Sequence, residues 1–236
     1  MNFKQPLTIM RKELSGYFTT PIAYIVITVF LVITGWFFFS TFFLYNQAEL
    51  RGFFQLLPLV LSFVVPAVTM RLFSEEKHSG SFEILMTLPV SASDVVLGKL
   101  LAGAAFVALM LAPTLSYAVS AALVGSLDPG PVIGGYLGAL LLGLAFSAAG
   151  VFASSLTRNQ IVAFIVGLVI CLTLTLIDKF LFFLPAPLQS AIEYMGADFH
   201  FRNISRGIID SRDIVYFLSL AAVAFIGTVR MLEERR

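Results

Sequence analysis

In a chain of 236 residues, 58% belong to the hydrophobic set and 12% are charged, where a soluble domain carries roughly 45–50% and about 25%; a water-soluble globule is excluded. Fifteen Lys and Arg against fourteen Asp and Glu leave a net charge of +1, too little bulk field for a nucleic-acid reader. The single cysteine, Cys171, lies inside an apolar run, so no internal disulfide framework is available.

In chain order, residues 1–21 come first. Phe3, Leu7, Met10, Leu14, Tyr17 and Phe18 recur at spacings of three and four, with Lys4, Arg11 and Lys12 on the other side. This pattern predicts a helix lying in the membrane interface, its basic face turned to anionic lipid, with Pro21 marking the bend into the first span. An anchor and a mechanical part would look alike in this pattern. A bilayer core of about 30 Å needs roughly 20 apolar residues in a helix. Six runs satisfy this, at 22–44, 53–70, 95–124, 132–156, 160–184 and 214–230. The first exceeds a signal-peptide core and lacks a small-residue cleavage pattern, so an uncleaved segment is expected. The fold class expected is all-α integral membrane, one domain over 1–236 with six transmembrane helices.

The stretch 71–99 joins spans two and three. Phe82, Leu85 and Met86 form a short apolar stripe beside Glu83, punctuated by Gly80 before and Pro89 after, which predicts a short helix parallel to the membrane within 75–88. Ser91 and Asp94 have capping-box spacing, so the third helix is expected to start outside the lipid and pass Lys99 at the boundary. The fourth span carries Gly134, Gly138, Gly143, Ser147 and Gly150, a small-residue face suited to close packing within the subunit. Asp178 and Lys179 fall at the far rim of the fifth span, where snorkelling is expected. In the longest hydrophilic segment, 185–213, Leu188, Ile192, Met195 and Phe199 again repeat at three and four; an interfacial helix on the outer face follows, either gating a path or sealing the bundle.

Six crossings put both termini on one side. Arg51, Lys179, Arg202, Arg206 and Arg212 fall on one face, and the remaining ten of the fifteen Lys and Arg on the other, which predicts cytoplasmic termini. No nucleophile, base or metal-ligand set converges at one depth, and no GxxxxGK[ST] loop occurs, so the chain is expected to be non-catalytic and any ATP-driven work must come from another subunit. An autonomous secondary carrier is the alternative. It is disfavoured by a midplane without charge but kept open by Gln55 and by helix breaks at Pro58, Pro66 and Pro113.

Glu75-Glu76-Lys77, Gly80-Ser81, Glu83, Leu85, Leu88-Pro89-Val90-Ser91 and Gly98-Lys99 resemble the cytosolic segment of the permease subunit of type 2 ABC transporters, in the branch of the gliding-motility and nitrous-oxide-reductase-maturation permeases. Lys12-Glu13-Leu14, Tyr17-Phe18 and Pro21 are similar to that family's elbow helix. His200-Phe201, Arg206-Gly207, Ile209-Asp210, Arg212-Asp213 and Tyr216-Phe217 resemble the branch's run into the last span.

The resemblance implies two permease protomers facing each other in a bacterial inner membrane, with two ABC ATP-binding subunits beneath that hold ATP and magnesium. The chain itself would hold no cofactor. Gly80 to Leu88 would be a coupling helix, with Phe82, Leu85 and Met86 supplying apolar contact to the ATPase. Glu75, Glu76, Lys77 and Glu83 would set its register by charge. His200, Phe201, Arg206, Asp210, Arg212 and Asp213 are the candidates for an outer gate. Substrate export or mechanical work at the envelope would be the output.

Overall fold

The computed structural model describes residues 4–45, 49–87, 90–183, 189 and 192–234. Every regular element among them is helical, with no strand. The order is α1 (Lys4–Phe18), α2 (Pro21–Tyr45), α3 (Arg51–Thr69), α4 (Arg71–Ser79), α5 (Ser81–Thr87), α6 (Ala92–Leu111), α7 (Leu115–Val124), α8 (Pro129–Leu156), α9 (Gln160–Leu176), α10 (Ala197–Ser205) and α11 (Ser211–Glu233). Six stretches are long and apolar enough to cross a membrane: α2, α3 with α4, α6 with α7, α8, α9 and α11. The protein is an all-α, multi-pass membrane protein.

Side-chain caps explain where several helices begin. The Ser91 hydroxyl accepts from the Asp94 N–H at 3.1 Å and donates to the Asp94 carboxylate at 2.6 Å, so the spacing read in the sequence forms a real cap at the start of α6. Asp128 precedes Pro129 and accepts from the Gly130 N–H, opening α8. Asn159 and Asp210 do the same for α9 and α11. Asp210 therefore has a structural task at the head of the last span.

Proline breaks only one of the spans it occupies. Pro58 and Pro66 sit inside α3 without ending it, while Pro113 lies in a 3-10 turn, Ala112–Thr114, that joins α6 to α7. The Tyr136 hydroxyl donates to the Thr114 carbonyl there at 2.7 Å.

α8 is the centre of the bundle, packed by α3, α4, α6, α9, α10 and α11. Its glycines are what let the neighbours in. A Cβ at Gly135 would meet the Phe54 ring at 2.4 Å, one at Gly143 would meet Val107 at 2.6 Å, and one at Gly150 would meet the Thr69 hydroxyl at 2.0 Å. The small-residue face thus packs inside the subunit. By contrast α2, α9 and α11 leave broad apolar faces uncovered.

Two expected elements differ in the structure. α9 ends as an α-helix at Leu176, and Ile177–Phe183 tightens into a 3-10 helix where Asp178 turns inward to bond Arg202 of α10. The outer stripe of Leu188, Ile192, Met195 and Phe199 does not share one helix. The chain turns at Tyr194 and Met195, where the Gly196 N–H bonds the Glu193 carbonyl, and α10 starts afresh at Ala197; Leu188 lies outside the described residues.

Candidate functional site

α4 follows α3 through a single residue, Met70, which keeps right-handed helical angles (φ −52°, ψ −34°). The segment read as a connector is therefore a prolongation of the second span, and it ends at Gly80, whose φ of +76° is left-handed. Glycine takes that conformation at no steric cost, closes α4 and re-aims the chain into α5. The expected helix over 75–88 is thus two helices with Gly80 between them.

Three side chains fasten α4 to parts of the chain distant in sequence. Ser154 of α8 accepts from the N–H groups of Phe73 and Ser74, both at 3.0 Å, and donates to the Met70 carbonyl at 2.6 Å. It thereby satisfies backbone groups that a helix start leaves open. Lys77 of α4 donates to the Ser155 carbonyl and lies over the Phe82 ring at 5.2 Å. Lys99 of α6 closes the third point. Only 1% of its side chain is exposed, and its ammonium pairs with Glu13 of α1 at 2.9 Å and Glu76 of α4 at 2.8 Å, while donating to the Leu72 carbonyl at 2.6 Å. The Phe73 ring lies 5.0 Å away.

The neighbour of that lysine explains how the elbow reaches it. A Cβ at Gly98 would meet the Ile9 side chain at 2.7 Å and the Pro6 carbonyl at 2.8 Å, so only glycine lets α1 lie against α6 and bring Glu13 to Lys99. At the end of α1, Tyr17 donates to the Val68 carbonyl at 3.1 Å, its ring 5.2 Å from Phe106 and beneath Arg71. Burial, helped by the nearby Glu13 carboxylate, pushes this phenol far above its ordinary value and keeps it a donor. Phe18 packs edge-on to Tyr24 and against Phe106, and Lys12 stays exposed. The elbow is a packed part of the bundle as well as an amphipathic helix.

Three residues read as contacts for a partner face inward instead. Phe82 is buried and edge-on to Phe73, Lys77 is buried under the end of α8, and Glu76 is held by Lys99. Glu76 and Lys77 are drawn in because one side of α4 packs on α8 and meets Lys99 of α6, and Phe82 because α5 packs on α4, while His78 and Ser79 share the free side of α4. Glu75, ion-paired to Arg71 at 3.3 Å, and Glu83 remain exposed. Leu85 and Met86 lie in α5, but their side chains, like all of Leu88 and Pro89, fall outside the described residues.

At the opposite end of the bundle, His200 and Asp213 join α10 to α11. The His200 Nδ1 is 2.6 Å from the Asp213 carboxylate, Nε2 is 2.9 Å from the Tyr194 carbonyl, and Tyr216 stacks on the ring at 4.0 Å. A carbonyl only accepts, so the contact with Tyr194 is made by an Nε2 N–H, and the ring turns Nδ1 to the carboxylate. Phe201 is fully buried beside them, while Arg206, Asp210 and Arg212 are exposed. The six gate candidates thus divide into an internal tie and a surface rim.

Asp178 is not a snorkelling anchor. Its side chain is 3% exposed and bonds Arg202, which also reaches Asp198 at 3.4 Å; Lys179 lies 2.6 Å from Asp198. The buried carboxylates take their counter-charges from the protein, which costs less than leaving them bare at the lipid boundary. Among the described residues, no group of three or more His, Cys, Asp and Glu is placed to hold a metal ion.

The fastened α3–α4 arm and the six spans set the frame for comparison with known proteins, and residues 39–197 match the family model described as ABC-2 family transporter protein. The chain belongs to the ABC-2 transporter family. No curated protein matches it. The match spans α3 to α9 with the whole α4–α5 arm, and stops short of the elbow and the last span. As an ABC-2 permease the chain is a membrane component of an ABC transporter, and the family implies partnership with an ABC ATP-binding subunit.

Proposed function

We propose that this ABC-2 permease transmits force from an ATPase docked on its α4–α5 arm to the helices of the bundle, in export or in mechanical work at the envelope. The observation that carries the reading is the triple fastening of α4. Ser154, Lys77 and Lys99 bind it to α8, α6 and α1, so a displacement of the arm moves four helices as one body and does not dissipate in a loose loop. The exposed Glu75 and Glu83, together with α5, form the docking edge. ATP and magnesium belong to the partner.

The finer parts of the proposal rest on the residues resembling the gliding-motility and nitrous-oxide-reductase-maturation branch and on the distribution of basic residues. On this reading the chain sits in a bacterial inner membrane with cytoplasmic termini, beside a second permease protomer and against lipid. Co-expression with its cognate ABC ATP-binding subunit should recover a complex on purification. Leu85→Glu and Glu83→Lys should each release the ATPase while the permease still inserts; full retention in both would end the docking proposal.

A further inference from the structure

The end of the bundle opposite the arm holds a cleft of about 410 Å³ between α3, α8 and α10, within the size range of small-molecule sites. We propose that this cleft binds a phosphate-bearing anion, with Arg206 as its principal contact. Leu50, Phe54 and Val132 give it an apolar wall, and Arg51 stands with Arg206 in its polar lining.

The charges there are unequal in their commitments. Arg202 is engaged by Asp178 and Asp198, and Asp128 caps α8. Arg51 reaches Glu49 only at 4.0 Å, with both side chains largely exposed. Arg206 has no ion pair among the described residues. Its guanidinium, with planar paired donors, suits a phosphate better than a halide or a single carbonyl.

The chain is built to hold Arg206 at this rim. Gly207 has φ +85°, and a Cβ there would meet the backbone of Gly130 at 3.1 Å. A Cβ at Gly134 would meet the Ile204 carbonyl at 2.2 Å, so α10 is pressed onto the start of α8 on either side of the arginine. Phe54 reaches the cleft floor only because residue 135 has no side chain. The cleft lies where α3 and α8 begin, which is the level of the lipid headgroups if those helices span, so the phosphate has two possible sources: a lipid headgroup whose first carbons follow the apolar wall, or a free phosphate.

The test uses the full-length chain in detergent, without an ATPase, and native mass spectrometry with dihexanoyl phosphatidylglycerol, dihexanoyl phosphatidylcholine and inorganic phosphate as probes. Phosphatidylglycerol should bind more tightly than phosphatidylcholine, and Arg206→Gln should weaken it about tenfold. Arg206→Lys should fall between, and Arg158→Gln, at the other end of the bundle, should bind as the parent does. Displacement by inorganic phosphate assigns the site to the free anion, and its failure to displace assigns it to the lipid headgroup. Equal binding of the two lipids overturns the proposal. So does an Arg206→Gln protein with the parent's affinity, and a melting curve on each variant separates lost binding from lost folding.

Discussion

A lysine with 1% of its side chain exposed survives in a membrane protein only if its surroundings replace the water it has lost. Lys99 has two carboxylates and a carbonyl within 3 Å, and the carboxylates depend on it in turn. Breaking such a pair costs more than forming it gains, because a charge is left buried without a partner. Lys99→Met keeps the volume but leaves Glu13 and Glu76, both mostly buried, facing each other with no cation. The expected loss is about 3–5 kcal/mol of unfolding free energy, measured by denaturant titration in detergent. Adding Glu13→Gln and Glu76→Gln to the same protein should return most of it. Unfolding of Lys99→Met at the parent's midpoint would show that packing, and not charge, holds α1, α4 and α6 together.

At the scale of elements, the arm depends on the turn between α4 and α5. Nothing lies within 4 Å of a Cβ built at Gly80, so its requirement is conformational alone. A residue forced into the left-handed region pays roughly 1–2 kcal/mol, and asparagine tolerates it better than alanine does. Gly80→Ala should therefore lower stability by about 1 kcal/mol and weaken ATPase retention, with Gly80→Asn losing less of both; equal losses would mean that the left-handed turn is not what matters. The spans and the α6 cap were legible in the sequence, because each is a local pattern of period or cap. The fastenings were not. Ser154 is one small polar residue in an apolar helix, and its partners stand about eighty positions away. Lys99 read as a rim residue because depth was counted along its own helix, without α1 and α4 folding over it. Phe82 read as outward because a seven-residue helix has too few turns to say which side its neighbours cover.

On the scale of the whole molecule, the two polar ends of the bundle do different work. The arm end is a junction of four helices, and the His200 end ties α10 to α11 and to the 3-10 helix after α9 through His200–Asp213 and Arg202–Asp178. They are joined by α3 and α4, which run 29 residues from Arg51 to Ser79, about 43 Å at 1.5 Å per residue. That exceeds the hydrocarbon thickness of about 30 Å, so the arm projects beyond the lipid while Arg51 stays at the opposite surface. Orientation then follows from two exposed positions, Ser79 on the arm and Met195 beside α10. In a Cys171→Ala background, Ser79→Cys should react with a membrane-impermeant maleimide only in inverted vesicles, and Met195→Cys only in intact cells. With the chain's one cysteine replaced, each introduced thiol is the protein's sole reactive site, so the contrast is clean. Labelling of both from the same side would break the six-span arrangement, and labelling with the sides exchanged would put the arm where no cytoplasmic ATPase can reach it.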